Sequence, residues 1–253
     1  IRTNLGATQA STLGADATSQ DRVVEYLRGR RDLEGDDDGQ FRVRPSPLGD
    51  IVNSQPVRVG PPDWEFVDAT DPGYAAFKLA RAGRPTRLYV GANDGMLHAF
   101  DDATGDEAWA FVPPDFYRKA PPAGNDKNGL LGLTYQPGGL PLYSHRFYVD
   151  ATPRVVDVDF GASDWRTLLV TGLGKGGNSY YALDVTDPAS ITDEASAAGK
   201  VLWRFTDPDM GYTFGRPTIA KTRAHGWVVV VSAGYNNASG EGKLFVLRAS
   251  DGA

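Results

Sequence analysis

The chain has 253 residues, 41% of them hydrophobic and 23% charged, enough for one large domain or two small ones. A formal net charge of -6 excludes a general nucleic-acid binder, because phosphate contacts need a cationic face. The lack of cysteine excludes disulfides, thiolate zinc sites and a cysteine nucleophile, and no apolar run reaches the roughly 18 residues of a membrane-spanning helix.

Residues 1–20 are rich in Ala, Thr, Ser and Gly without periodicity and read as a flexible N-terminal arm. A helix is expected over 21–29, capped by Thr18 or Ser19, with Val23, Val24 and Leu27 on one face and Gly29 at its end. The charged loop RRDLEGDDDGQ follows. Its alternating acids make Asp36 and Asp38 candidate calcium ligands. The twelfth position counted from Glu34 is Pro45 rather than a carboxylate, so a solvated acidic loop is the favoured reading.

Beyond this loop the hydrophobic period becomes two. Short β-branched and aromatic runs alternate with Gly, Asn, Asp and Pro, as in Leu88–Val90, Met96–Phe100, Thr167–Thr171, Tyr180–Leu183, Val201–Phe205, Trp227–Ser232 and Lys243–Leu247. These runs repeat as a unit. A first strand carries a proline (Pro56, Pro153, Pro217). A second ends in Gly (LYVG at 88–91, LLVTG at 168–172, VVVSAG at 229–234). A third follows (LHAFD at 97–101, YYALD at 180–184, LFVLR at 244–248) and then a turn. A fourth strand occurs twice, at 108–112 and 201–205.

Four short strands per repeat indicate an all-β fold, a β-propeller of four-stranded blades, incomplete in this chain and preceded by one short helix. One blade has two apolar faces and cannot stand alone; stacked neighbours cover both. Residues 21–253 are read as part of one propeller domain. The prolines lie 97 and 64 residues apart (153 − 56 and 217 − 153), beyond the roughly 40–50 of a compact blade, so the repeats carry insertions. The longest is 113–146, a length associated with function or disorder.

Ala99, Asp101, Thr104, Gly105 and Trp109 spell A-x-D-x-x-T-G-x-x-x-W, which resembles the tryptophan-docking motif of quinoprotein-type propellers. There, Asp and Thr hold a tight turn, Gly takes a backbone angle other residues avoid, and the indole wedges between blades. The second copy keeps Ala182, Asp184 and Trp203. On this reading Trp109→Ala costs roughly 3–5 kcal/mol. Catalysis with a quinone cofactor is disfavoured: no adjacent cysteines and no second acidic cluster mark a site. GLGKGG at 172–177 matches G-x-G-x-x-G but precedes the alternating NSYYALD rather than a helix, so it reads as a turn. His98, His145 and His225 lack metal spacing, and His98 is expected to pack within a strand. Asp157 and Asp159 are expected to face solvent. No catalytic or cofactor-binding residue is assigned.

The blocks RPSPLGDIVNSQPV (44–57), YVGANDGMLHAFD (89–101), SHRFYVDATPRVVDV (144–158), LLVTGLGKGGNSYYALDVTDP (168–188), WRFTDPDMGYTFGRPTIA (203–220) and SAGYNNASGEGKLFVL (232–247) are similar to the conserved propeller of PilY-type proteins. These are large tip-associated adhesins and assembly factors of bacterial type IV pili. The resemblance runs from about Val23 to the end of the chain. It implies a non-enzymatic, exported protein that passes through the periplasm to the pilus tip or cell surface. There it would meet minor pilins, a host or abiotic surface, and the remainder of its own propeller, promote pilus extension against retraction, and serve adhesion, surface sensing and twitching motility. It also implies calcium, held by a D-x-N-x-D-G-x-x-D loop that normally follows the point where this chain stops; no residue here matches that loop. An export signal has room outside the chain, which starts at Ile1 without Met. The alternative is another envelope propeller, such as a β-barrel assembly lipoprotein, acting as a scaffold.

Overall fold

Three antiparallel sheets follow one another along the chain; the structure, a computed structural model, describes residues 6–118, 129–136 and 143–253. Sheet 1 contains β1 (Val57–Val59), β2 (Arg87–Gly91), β3 (Leu97–Asp101) and β4 (Glu107–Phe111), paired in chain order. Sheet 2 repeats the pattern with β5 (Arg154–Asp159), β6 (Trp165–Gly172), β7 (Tyr180–Asp184) and β8 (Val201–Phe205). Sheet 3 has β9 (Thr218–Thr222), β10 (Gly226–Ser232) and β11 (Leu244–Arg248), with β11 at its edge. Pro56, Pro153 and Pro217 each stand just before the first strand of a sheet, where a missing N–H breaks no ladder bond. The repeat extends to its irregularities: sheets 1 and 2 both slip register after the motif alanine, at Ala99/Phe100 and at Ala182/Leu183.

The sheets stack in chain order. Tyr89, Ala99 and Trp109 sit opposite one another and so share one face of sheet 1, which packs with Phe111 against Leu169, Tyr181 and Leu183 of sheet 2. The other face of sheet 2, with Val156, Leu168, Val170 and Trp203, packs against Ile219, Val229, Val231 and Leu247 of sheet 3. Sheet 2 is therefore covered on both sides, and every residue of β7 is buried. β5 touches both β1 and β9, so the first strands lie nearest a common axis, as in a propeller. On the outer face of sheet 3, Leu244 and Val246 are 72% and 58% exposed.

The N-terminal region departs from expectation. A short helix α1 (Ala7–Ala10) lies within the stretch read as a flexible arm, and Leu13 is buried in the core shared by sheets 1 and 2. The composition of a linker hid one well-placed apolar anchor. The main helix α2 spans Ala17–Leu27 rather than 21–29, because Asp16 is its cap: its carboxylate accepts from the Ser19 N–H at 2.8 Å, and Ser19 Oγ accepts in turn from the Asp16 N–H. Gly29, at φ +96°, follows its last turn. Within the 113–146 insertion, the described residues Phe116, Leu130 and Leu133 are buried, while 119–128 and 137–142 lie outside the described residues. The connection between β1 and β2, residues 60–86, includes α3 (Tyr74–Ala80); α4 (Glu194–Ala198) lies between β7 and β8.

Candidate functional site

The turn after β3 forms as its residue types dictate. Asp101 Oδ1 accepts from the N–H groups of Ala103 (2.9 Å) and Thr104 (3.2 Å), and Thr104 Oγ1 accepts from the Asp106 N–H. Gly105 takes φ +78°, the left-handed region that favours glycine. The second copy uses Asp184, which accepts from the Thr186 N–H at 2.9 Å. Each motif aspartate is also held by an arginine near the start of the second strand: Arg87 on Asp101 and Arg166 on Asp184. Sequence reading missed both arginines, which reach the aspartate from different positions: Arg87 stands directly opposite Asp101, whereas Arg166 lies two residues before Leu168, the partner of Asp184. Trp203 is 6% exposed and donates from Nε1 to the Ala249 carbonyl of sheet 3 at 2.9 Å. Trp109 is half-buried against the first core, and its indole N–H has no partner among the described residues.

Four polar clusters lie around this scaffold, and each is satisfied from within. His98 is 5% exposed, with Nδ1 2.6 Å from Glu107 and Nε2 3.1 Å from Asp94. Burial works against its charge, but the bonds to Asp94 and Glu107 outweigh that and raise its pKa to about 9. Nearby, Asp50 receives Asn93 Nδ2 at 2.9 Å and His145 Nε2 at 2.8 Å. Asp115 accepts from Ser179 Oγ at 2.8 Å and from Arg204, fixing the start of the long insertion to sheet 2.

The fourth cluster corrects an expectation. Asp157 does not face water; it is 2% exposed and accepts from Tyr74 OH (2.8 Å) and Thr167 Oγ1 (2.6 Å). The alternation along β5 places it away from sheet 3, but the 60–86 connection covers that face. Burial raises its pKa despite those two hydrogen bonds. With both oxygens engaged and almost none of the residue exposed, the raised pKa marks a packed carboxyl.

The remaining candidates gain no chemistry. Gly172–Gly177 leads into β7 with no helix, and a Cβ on Gly176 would lie 1.7 Å from the Tyr148 carbonyl oxygen; this glycine permits close packing of two loops. Asp36 and Asp38 are exposed on their turn. Glu34, the first position of the calcium reading, is turned inward onto Arg44, with 2.7 Å between Oε1 and the guanidinium. The loop therefore does not fit a calcium ion, and among the described residues no group of three or more His, Asp or Glu is placed to hold a metal. A cleft of about 370 Å³ beside α2 includes Tyr26, Arg42, Leu48, Asp50, Asp94 and Tyr143. Its polar groups are already engaged: Asp94 with His98 and the Gly49 N–H, Asp50 with Asn93 and His145, and Arg42 over the Tyr143 ring. No described helix is long and apolar enough to cross a membrane.

Comparison with known proteins agrees with this arrangement. Residues 48–249 match the family model described as the PilY1 beta-propeller domain. The chain is 39% identical over 246 residues to the type IV pilus biogenesis factor PilY1 of Pseudomonas aeruginosa strain PAK, covering 94% of this chain and 19% of that protein. It is 39% identical over 251 residues to a PilY1 homolog of Xylella fastidiosa, covering 96% of this chain and 18% of the relative. Among solved structures, the C-terminal domain of Pseudomonas aeruginosa PilY1 superposes with a TM-score of 0.58 at 33% identity, over 78% of this chain and 35% of that one. The chain thus spans about a fifth of the length of the two pilus biogenesis factors. Stacked four-stranded sheets, their repeated motif and a family match across four-fifths of its residues establish that this chain belongs to the PilY1 β-propeller family.

Proposed function

We propose that this chain is the propeller part of a type IV pilus biogenesis factor and works by surface recognition rather than catalysis. The observation that carries the reading is the PilY1 propeller match over residues 48–249, joined to relatives that are named type IV pilus biogenesis factors. The geometry supports it: the titratable clusters hold loops to sheets, and their polar atoms are engaged with one another, including those of Asp50 and Asp94 that border the cleft beside α2. In this reading the protein is exported through the periplasm to the pilus tip or cell surface and engages minor pilins there. It favours extension of the pilus over retraction and contributes to adhesion, surface sensing and twitching. Calcium belongs to a loop outside these residues.

The test is genetic. In a piliated bacterium carrying this gene, excision of residues 6–253 is expected to abolish surface pili while the retraction motor is present. Removing the motor should restore them, and the excised protein should no longer co-purify with minor pilins. Unchanged piliation and unchanged co-purification would sink the proposal. Reconstitution of the purified chain with quinone and calcium is expected to give no dye reduction.

A further inference from the structure

The connection between β1 and β2 does not stay with its own sheet. Residues 60–86 leave sheet 1, cross sheet 2 and reach sheet 3. Phe66 lies 5.7 Å from the Trp165 ring of sheet 2 and 5.5 Å from the Trp227 ring of sheet 3, the two indoles are themselves 6.2 Å apart, and Trp64 stacks on Phe66 at 5.7 Å. Trp165 Nε1 donates to the Pro72 carbonyl at 2.9 Å, and Tyr74 OH reaches Asp157 on β5. From sheet 3, Lys221 Nζ donates to the Thr70 carbonyl (2.8 Å) and to Asp71 (2.9 Å). The segment then returns over sheet 2: Arg81 pairs with Asp187, and the buried Arg84 bonds Thr167 Oγ1 and the Thr186 carbonyl. Gly73 passes so close to the β5–β6 turn that a Cβ there would lie 2.7 Å from Ser163.

We infer that residues 60–86 are an inter-blade staple that holds three sheets together as one cooperative unit, independently of closure of the propeller ring. An ordinary blade touches only its sequence neighbours, so a terminal sheet can fray alone. Here sheet 3 is held on sheet 2 both by its own face and by aromatic and lysine contacts to a segment from sheet 1. Detaching it requires parting Trp227 from both Phe66 and Trp165, three rings that meet with centroids 5.5 to 6.2 Å apart. This inference does not depend on the pilus role.

Native-state hydrogen exchange on the purified 253-residue chain tests it. The slowest amides of the three sheets are expected to exchange at similar rates in the unmodified chain. Phe66→Ala is expected to lower protection of β9–β11 by about tenfold more than that of sheets 1 and 2. Lys221→Ala, which leaves the aromatic contacts intact, should act in the same direction and less. If Phe66→Ala does not fold, Phe66→Leu is expected to show the same selective loss. Equal loss across the three sheets, or sheet 3 already exchanging fastest in the unmodified chain, would overturn the staple.

Discussion

The two seams of the stack, sheet 1 on sheet 2 and sheet 2 on sheet 3, use the same motif with different results. At the second seam Trp203 is nearly buried, bonds the Ala249 carbonyl, and lies on Gly252, where a Cβ would stand 2.9 Å from the indole. At the first seam Trp109 is only half-buried and its N–H finds no partner among the described residues. The difference lies in the receiving turn. Gly105 corresponds to Gly252 in the third repeat but to Pro188 in the second, so the flat seat that glycine gives Trp203 has no counterpart for Trp109. A motif residue's contribution is thus set by the neighbouring sheet as much as by its own. Trp203→Ala is expected to cost roughly 3–5 kcal/mol, whereas Trp109→Ala, burying less, should cost about 2 kcal/mol, below the sequence-based figure. Urea denaturation of the two variants measures both; equal losses would break the comparison.

Strands and turns specified within one repeat were legible, the arginines on their aspartates excepted, whereas across repeats only the docking tryptophans were. The strands of all three sheets followed from period-two alternation and Gly-ended runs, because each is specified by its own few residues. Trp64 and Phe66 sit in PPDWEFVDATDPG, a segment with no period, and their partners Trp165 and Trp227 belong to other sheets. Nothing local marks such a contact. Asp157 shows the same limit: the strand pattern gave its face, and only the staple determined that the face is dry. At the docking motif, Asp101 and Thr104 were readable from turn chemistry, while the unequal seating of the two tryptophans depended on a turn more than forty residues further on (249 − 203 = 46).

A pH titration distinguishes the flanks of the two seams. His98 points away from the first seam, on the face of sheet 1 opposite Trp109, between Asp94 and Glu107. Its folded pKa of about 9 lies above the ordinary 6.5, so the folded state holds the proton more tightly. The stabilisation is complete below pH 6.5 and is lost as pH rises through about 9, amounting to at most about 3 kcal/mol. Stability of the unmodified chain, read by urea denaturation, is therefore expected to fall over that interval. His98→Gln should flatten the fall. Asp157 adds a slope at lower pH: with its pKa raised, its contribution is present below the unfolded value and declines as pH rises through the folded one. Asp157→Asn should remove that slope alone.

The two glycines sharpen the comparison at the turns. Gly105 and Gly252 both have positive φ, 78° and 73°, so alanine strains the backbone at either by about 1 kcal/mol. Only at Gly252 does the new methyl meet a neighbour, the Trp203 ring, whereas nothing lies within 4 Å of a Cβ at Gly105. Gly252→Ala is expected to cost about 2 kcal/mol and Gly105→Ala about 1 kcal/mol. Melting curves that rank them the other way would mean that the indole does not rest on that turn.

The smallest effect isolates the hydrogen bond. Phenylalanine at either tryptophan position removes similar ring area and the indole N–H, so the size term largely cancels between Trp109→Phe and Trp203→Phe. At 203 the change also leaves the buried Ala249 carbonyl without its donor; at 109 it removes an N–H that had no partner among the described residues. Trp203→Phe should therefore be the more destabilising by about 1 kcal/mol, the net worth of a buried neutral hydrogen bond. If the two variants unfold at the same urea concentration, the inequality of the seams comes from packing on Gly252 alone and the Ala249 bond contributes nothing to it.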